Sequence, residues 1–290
     1  MTIKDTMRLH KTAEIVNMVI MVVFAIFFLI PLYVMVVNSF KPLAEIRGGN
    51  MLALPVAFGF EPWTKAWSEA QIGVQATGLK PYFLNSIRMV IPAVFMSTLM
   101  GSLSGFVLSK WQFKGDKILF GLILFGCFIP FQIVLIPTAR VLGTLNLAGT
   151  TTGLVLVHTV YGLGFTTLFF KNTYDTFPSE LVQSAQVDGA HFFKIFKDII
   201  LPNSTPIIVV SVIWQTTNIW NDFLFGVSFG DATSQPMTVA LNNLVSSSTG
   251  VKEYNVHFAG ALMAALPTLT IYLVSGRYFV RGLMSGSVKG

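Results

Sequence analysis

The sequence predicts an all-α polytopic membrane protein with six transmembrane helices and both termini in the cytoplasm. Three observations carry that prediction. Only 11% of the residues are charged and 53% are apolar, with a mean hydropathy of +0.68; an ordinary soluble domain is about 25% charged. Six stretches contain no Asp, Glu, Lys or Arg: 15–40, 89–109, 118–139, 141–170, 199–221 and 254–276. Each meets the roughly 20 apolar residues that a membrane helix needs. The third observation is where the lysines and arginines fall. With the N-terminus inside, twelve lie on the cytoplasmic side and six outside, four of those six in one long loop. Long loops weigh little in the positive-inside rule, so the bias sets the orientation.

Taken in order, the helices occupy about 15–40, 83–109, 118–139, 150–171, 204–226 and 256–279, in one membrane domain over 1–290. The first is not read as a cleaved signal. Its apolar core outruns the roughly 7–15 residues of a signal's apolar region, and "VVNSFKP" follows in place of a small-x-small site. Pro31, Pro92, Pro130, Pro137, Pro206 and Pro267 punctuate the helices, either as tolerated kinks or as hinges. Outside lie a long loop (41–80), a short one near Arg140 and a medium one (227–253). The net charge of +6 reflects topology rather than nucleic-acid binding, because the basic residues flank apolar runs. The single cysteine, Cys127, permits no intrachain disulfide.

Enzymatic material is sparse. The four histidines are scattered, no HExxH is present, and no GxxxxGK[ST] offers a P-loop. No metal or cofactor is expected on this chain. Polar groups within lipid are costly and face a bundle interior or a cavity. The densest set is in span five: Gln215, Thr216, Thr217, Asn218, Trp220, Asn221 and Asp222. Amides beside an indole face suit a sugar, with its hydroxyls and apolar CH faces. The same set also serves helix–helix hydrogen bonding with an interfacial tryptophan. Gln215, Asn218, Trp220, Asn221 and Asp222 are the substrate-path candidates, joined by His158 and Tyr161 of span four. The last two are read first as making a satisfied hydrogen bond to another helix rather than as ligands.

The stretch "LVQSAQVDGAHFFKIFKDIILP" (181–202) neither spans nor simply turns. Asp175 or Thr176 is expected to cap a first helix, with Pro178 in its first turn and Glu180 near its positive end. That helix ends near Val187. Asp188 is expected to cap a second helix after Gly189, with Phe192, Phe193, Ile195, Phe196, Ile199 and Ile200 at apolar positions. Three uses compete: an amphipathic helix on the inner leaflet, a docking element for a soluble partner, and a cytoplasmic gate. The small residues Ser184, Ala185, Gly189 and Ala190 around the bend favour close approach of another protein.

This run resembles the EAA loop of binding-protein-dependent ABC transporter permeases, whose pattern is E-A-A-x-x-x-G, then I-x-L-P. Gln183-Ser184-Ala185 stands at Glu-Ala-Ala, Gly189 matches the glycine, and Ile199-Ile200-Leu201-Pro202 matches the close. "VNSFKP" after span one, "NS" at 85–86, "NIWNDFLF" at 218–225 and the ending "GRYFVRGLMSGSVKG" extend the likeness to the smaller permease of maltose-type carbohydrate importers. The long first outer loop is similar to that of glucose/mannose-type permeases.

The resemblance implies a type I ABC importer permease fold with a cytoplasmic coupling helix in the loop 174–203. It implies a heterodimer with a second homologous permease, two ATPase subunits that hold ATP and Mg, and an extracytoplasmic sugar-binding protein. It places the chain in the bacterial inner (cytoplasmic) membrane as a non-enzymatic pore subunit. Carried over residue by residue, the coupling set is Glu180, Gln183, Ser184, Ala185, Val187, Asp188, Gly189, Ala190, Phe192, Phe193, Leu201 and Pro202. Ser246, Ser247, Ser248, Thr249 and Gly250 are the candidates for docking the binding protein. Gln183 departs from the family: it hydrogen-bonds but cannot form the acid's ion pair, and Glu180 lies one turn earlier. The rival classes are a secondary transporter or channel acting without an ATPase, and an intramembrane enzyme. The first needs an ionisable group deep in a span and the second a catalytic pair, and neither is evident.

Overall fold

A computed structural model describes residues 3–111, 113–246 and 251–287 of the chain, with side chains for 12–111, 113–246 and 251–275. The described residues are mostly helical. The helices are α1 (Ile3–Ser39), α2 (Leu43–Arg47), α3 (Glu61–Ser68), α4 (Lys80–Lys110), α5 (Asp116–Phe128), α6 (Phe131–Thr144), α7 (Thr151–Asp175), α8 (Ser179–Val187), α9 (Phe192–Ile195), α10 (Leu201–Asn203), α11 (Thr205–Trp220), α12 (Leu224–Phe229), α13 (Met237–Ser246) and α14 (Tyr254–Ser287). A two-stranded antiparallel hairpin, β1 (Gln71–Ile72) and β2 (Gln75–Ala76), pairs Gln71 with Ala76 and Ile72 with Gln75. The residues form two compact units, 1–78 with 244–263, and 79–243 with 264–290.

In the first unit α1 is apolar on every side from Ile15 onward and exposed from there to Leu32, as expected of a helix in lipid. "VNSFKP" then ties its end to the following loop. Asn38 Nδ2 donates to the carbonyls of Val34 (2.7 Å) and Met51 (2.8 Å), and Trp63 Nε1 donates to Ser39 Oγ (3.2 Å). Lys41 is buried, with its ammonium on the Asn50 carbonyl at 3.0 Å. Asn255 donates to the Lys41 carbonyl, and Lys65 pairs with Glu253 at 2.7 Å.

The second unit is built on α4 against α7. Ser97, Gly101 and Gly105 recur every four residues on α4, the spacing that lets two membrane helices approach closely. A Cβ on Gly101 would overlap the Thr166 side chain, and one on Gly105 would lie 2.7 Å from Phe170 Cβ and Lys171 N. Thr166 Oγ1 donates to the Ser97 carbonyl at 2.9 Å. Near the start of α4 Asn85 and Ser86 hold the turn before α13: Asn85 Nδ2 donates to the Thr233 carbonyl (2.7 Å) and Met237 N to Ser86 Oγ (2.8 Å). In that turn Asp231 Oδ1 accepts from Thr233 Oγ1 (2.7 Å), Thr233 N (2.8 Å) and Ser234 N (3.0 Å). Those bonds, the Thr233 hydroxyl's first, hold its carboxyl below the usual range. The turn therefore gains stability above the unfolded carboxylate pKa of about 3.9 and loses it as pH falls through the lower folded value.

Among the described residues four helices are long and apolar enough to cross a membrane, and up to six result if each of two bent pairs is one span. The expected continuous helix at 118–139 is one of the broken pairs. α5 and α6 meet at 102°, because Pro130 forces Ile129 into an extended conformation (φ −67°, ψ 124°). Pro31, Pro92, Pro137 and Pro267 stay within their helices, and Pro206 opens α11. The expected helix at 204–226 stops at Trp220, where the Asp222 carboxylate caps α12 by accepting from Phe225 N (3.3 Å) and Gly226 N (3.0 Å).

Candidate functional site

The loop that follows α7 is a folded element with a buried and an exposed side. Its core is Phe106 of α4, Phe170 and Tyr174 of α7, Val182 of α8, Ile195 of α9, and Phe196 and Ile200 beyond it. Phe192 packs on Phe106 (5.1 Å between ring centres) and edge-on to Trp111 (5.2 Å). Burying each of these side chains contributes about 1.5–3 kcal/mol.

α7 runs to Asp175, so Asp175 and Thr176 end that helix instead of capping the next. The Asp175 carboxylate is already paired with Lys171 one turn back at 2.7 Å. Pro178 holds the N-cap position of α8, not its first turn. The joint is fixed from α4, whose last residue Lys110 donates its ammonium to the Phe177 carbonyl and to Ser179 Oγ.

α8 ends in a Schellman motif. Gly189 has φ +80°, Ala190 N donates to the Ala185 carbonyl (2.9 Å) and Gly189 N to the Gln186 carbonyl (3.0 Å). Ala185 and Ala190 both pack on the core at this closure. Asp188 therefore occupies the C-cap position of α8 and does not cap the second helix. His191 takes that N-cap position, without a side-chain bond, because the left-handed turn places three residues between Asp188 and α9.

The second arm is α9, a π-helical turn over Phe196–Ile200, and α10. In a regular helix the Pro202 ring would meet the Asp198 carbonyl, and that carbonyl lies in the wider π turn. The arm bends 80° into α11. At the bend Ser204 is buried. Its Oγ donates to the Ile200 carbonyl (2.6 Å) and lies 3.0 Å from the Tyr174 hydroxyl, which also meets Ser102 Oγ at 2.8 Å. One hydroxyl chain thus joins α4, α7 and the root of α11. Tyr174→Phe is expected to lower stability by about 1–2 kcal/mol, because the Ser102 and Ser204 hydroxyls lose their shared partner; thermal unfolding of the purified protein measures it. Lys110, Tyr174, Ser204 and the π turn escaped sequence reasoning. Only "IILP" signalled an irregular helix there.

Of the predicted coupling residues, Glu180, Gln183, Ser184, Val187, Asp188, Gly189, Phe193 and Pro202 are exposed, while Ala185, Ala190, Phe192 and Leu201 are half-buried. Val187 is 88% and Phe193 67% exposed, and Leu181 is exposed as well. Gln183 lines a polar cleft of about 260 Å³ with Lys110, Ser109, Ser179 and Gln186.

The substrate-path candidates divide. Gln215 is 2% exposed, donates to Ser97 Oγ at 3.1 Å and fills the space over Gly162. Trp220 is buried edge-on against Phe83, with Nε1 on the Ala264 carbonyl at 2.8 Å. Both hold helices together. Asn218 and Asn221 are exposed, and Asn218 Nδ2 donates to the Trp214 carbonyl. His158 is buried 3.6 Å from Asp222, too far for a hydrogen bond, and its ring and that of Tyr161 lie against Phe225. Tyr161 makes the expected bond to another helix, through Thr138 of α6, whereas His158 Nε2 has no hydrogen-bond partner. Tyr161 also borders an apolar cavity of about 300 Å³ with Cys127, Ile129, Val134 and Gly164. Gln215→Ala is expected to cost about 1–3 kcal/mol by removing the amide's bond to Ser97 and emptying the space over Gly162, and to leave the substrate concentration for half-maximal uptake unchanged. Of the docking candidates, Ser246 is exposed at the end of α13, and Ser247, Ser248, Thr249 and Gly250 lie outside the described residues. Among the described residues no cluster of three metal-ligating side chains occurs.

Comparison with known proteins gives the same picture. The model of the family described as "Binding-protein-dependent transport system inner membrane component" matches residues 94–281. A probable ABC transporter permease of Pyrococcus horikoshii is 44% identical over 189 residues, 64% of this chain and 68% of the relative. An osmoprotective-compound uptake permease of Synechocystis is 33% identical over 239 residues, 78% of this chain and 80% of the relative. A xylose/arabinose import permease of Haloferax volcanii is 30% identical over 285 residues, 91% and 90% of the two chains. Among solved structures, a chain of a bacterial ABC transporter that imports alginate superposes with a TM-score of 0.80 at 20% identity, covering 94% of this chain and 98% of its own. With a matching family model, matching relatives and the permease fold in hand, the chain belongs to the family of inner-membrane components of binding-protein-dependent transport systems.

Proposed function

We propose that the chain is one permease half of an ATP-driven importer for a sugar or a similarly hydroxylated solute. Both its termini lie in the cytoplasm, its six spans cross the cytoplasmic membrane, and the coupling loop faces inward. A second homologous permease completes the pore. Two ATPase subunits below hold ATP and Mg, and this chain binds neither. An extracytoplasmic binding protein delivers the solute, and the segment 246–250 probes it.

The observation that carries this reading is the two-sided loop. α8 and α9 are fastened to the core through Val182, Ile195 and Phe196, while Leu181, Val187 and Phe193 remain exposed around a rigid bend. Such an element transmits force, because it is capped, packed and joined to α4, α7 and α11. A groove on an ATPase that takes up the exposed apolar tip supplies the lever's other half. The relatives support the solute class. Their names include import permeases for xylose/arabinose, for melibiose/raffinose/stachyose and for glucose. A second solved relative is an alginate transporter with its substrate-bound periplasmic protein. The packing roles of Gln215 and Trp220 leave few sugar-facing groups on this chain, so the companion permease is assigned most of the solute contacts.

Reconstitution tests the proposal. Uptake of radiolabelled sugar into proteoliposomes should require the companion permease, the ATPase and ATP together. Uptake by the isolated chain without an ATPase would overturn it in favour of a secondary transporter or channel.

A further inference from the structure

The segment Met51–Phe60, MLALPVAFGF, contains no charged residue. Its apolar side chains point outward: Val56 is 93% exposed and Leu54 69%, and Leu52, Phe58 and Phe60 are exposed as well. A solvated loop of that composition is unusual, since soluble surfaces rarely carry contiguous apolar patches of this extent.

The hydrogen bonds place the segment along α1. Asn38 Nδ2 donates to the Met51 carbonyl at 2.8 Å, and the Tyr33 hydroxyl donates to the Leu52 carbonyl at 2.9 Å. Tyr33 lies six residues before the end of α1, about 9 Å down the helix. The chain therefore folds back beside the last two turns of a helix that is apolar on all sides. Asn50 Oδ1 caps the reversal by accepting from Leu52 N and Ala53 N, and Lys41 fastens it from within. Above it, Phe40 stacks on Phe58 (4.7 Å) and Trp63 (5.5 Å), with Phe60 edge-on (5.4 Å).

We propose that Met51–Phe60 is a lipid-binding loop, seated in the headgroup and upper acyl region of the leaflet where α1 ends. The partner is the bilayer surface itself. Three features favour it over a protein surface: the segment is continuous with the lipid-facing side of α1, it has no charge, and aromatic rings gather at the level where the span ends, as in a membrane's aromatic belt. The backbone of the segment is irregular, so it stops at the interface and does not enter the hydrocarbon core, where its open amides would lack partners. Such an anchor fixes the depth of α1 and the attitude of the outer loop. The assignment of this leaflet as the outer one rests on the orientation proposed above.

Site-directed spin labelling of the assembled transporter in lipid nanodiscs tests it. Leu54→Cys and Val56→Cys, in a Cys127→Ala background, are labelled and probed for collision with oxygen, which partitions into lipid, and with a nickel chelate, which stays in water. Phe27→Cys marks the middle of α1, and Val74→Cys, 94% exposed at the hairpin turn, marks water. The expected result is an oxygen-to-nickel ratio at 54 and 56 several-fold above that at 74 and below that at 27. A ratio equal to that at 74 would overturn the proposal in favour of a solvated loop. Protection from both probes would overturn it in favour of a protein partner. A low ratio at 27 would instead indict the assignment of α1 as a span, which separates the two failures.

Discussion

Gly189→Pro is expected to abolish sugar uptake by the reconstituted transporter while the chain still inserts and assembles. The glycine sits at φ +80° with its N–H on the Gln186 carbonyl. Proline fixes φ near −65° and has no N–H, so both requirements fail together. Holding an L-residue in the left-handed conformation costs about 1–2 kcal/mol, proline's ring cannot reach it at all, and the lost hydrogen bond costs about 1 kcal/mol more. Those costs fall at the tip, where exposed Val187 and Phe193 flank the bend, so docking suffers more than the buried core. A graded series sharpens the test. No atom lies within 4 Å of a Cβ built on Gly189, so Gly189→Ala meets only the backbone penalty. Gly189→Asn is milder still, because asparagine tolerates the left-handed region. Solute-stimulated ATP hydrolysis should fall in the order Gly, Asn, Ala, Pro, with membrane abundance constant. Normal uptake in the proline variant would sink the docking role of this bend.

Gly105→Leu should have the second large effect, this time on the bundle itself. A Cβ there lies 2.7 Å from both the Lys171 nitrogen and Phe170 Cβ, and backbone cannot step aside as a flexible side chain can. Overpacking costs roughly 1–3 kcal/mol, and more where backbones must separate. Phe170, which it displaces, belongs to the core that holds the coupling loop. The variant should lose monodispersity in detergent and unfold at a markedly lower temperature. Gly121→Leu is the control, since no atom lies within 4 Å of its added Cβ. Equal stability of the two variants would refute the close α4–α7 packing.

The contrast between these glycines shows where sequence reasoning stopped. Membrane class, the approximate positions of the long apolar helices and the two-helix loop ending in "LP" were legible, because each rests on local composition or spacing. Lipid excludes charge, so charge-free gaps mark helices. Gly189 was legible because a short helix that must stop and turn needs a left-handed residue. Pro130 was legible as an interruption, yet its 102° consequence was not. Pro31, Pro92, Pro137 and Pro267 remain within helices, since the structure around a proline decides whether a helix bends, breaks or tolerates it.

The polar residues of span five mark the other limit. Gln215 and Trp220 read equally as sugar ligands or as helix fasteners, because a donor's chemistry is the same in both uses. Only the facing residues decided: Ser97 Oγ for the amide, the Ala264 carbonyl for the indole. Likewise Asp188 has the chemistry of a helix cap, but the Schellman closure left it outside the second helix. The sequence by itself determined that this is a polytopic membrane protein with a punctuated, amphipathic loop, since hydropathy and turn chemistry act over a few neighbouring residues. The tertiary structure alone decided which polar groups pair across helices, how Ser102, Tyr174 and Ser204 join the loop to the bundle, and which face of the loop stays open. Those outcomes depend on contacts between residues as far as 118 to 214 positions apart, which no local pattern encodes.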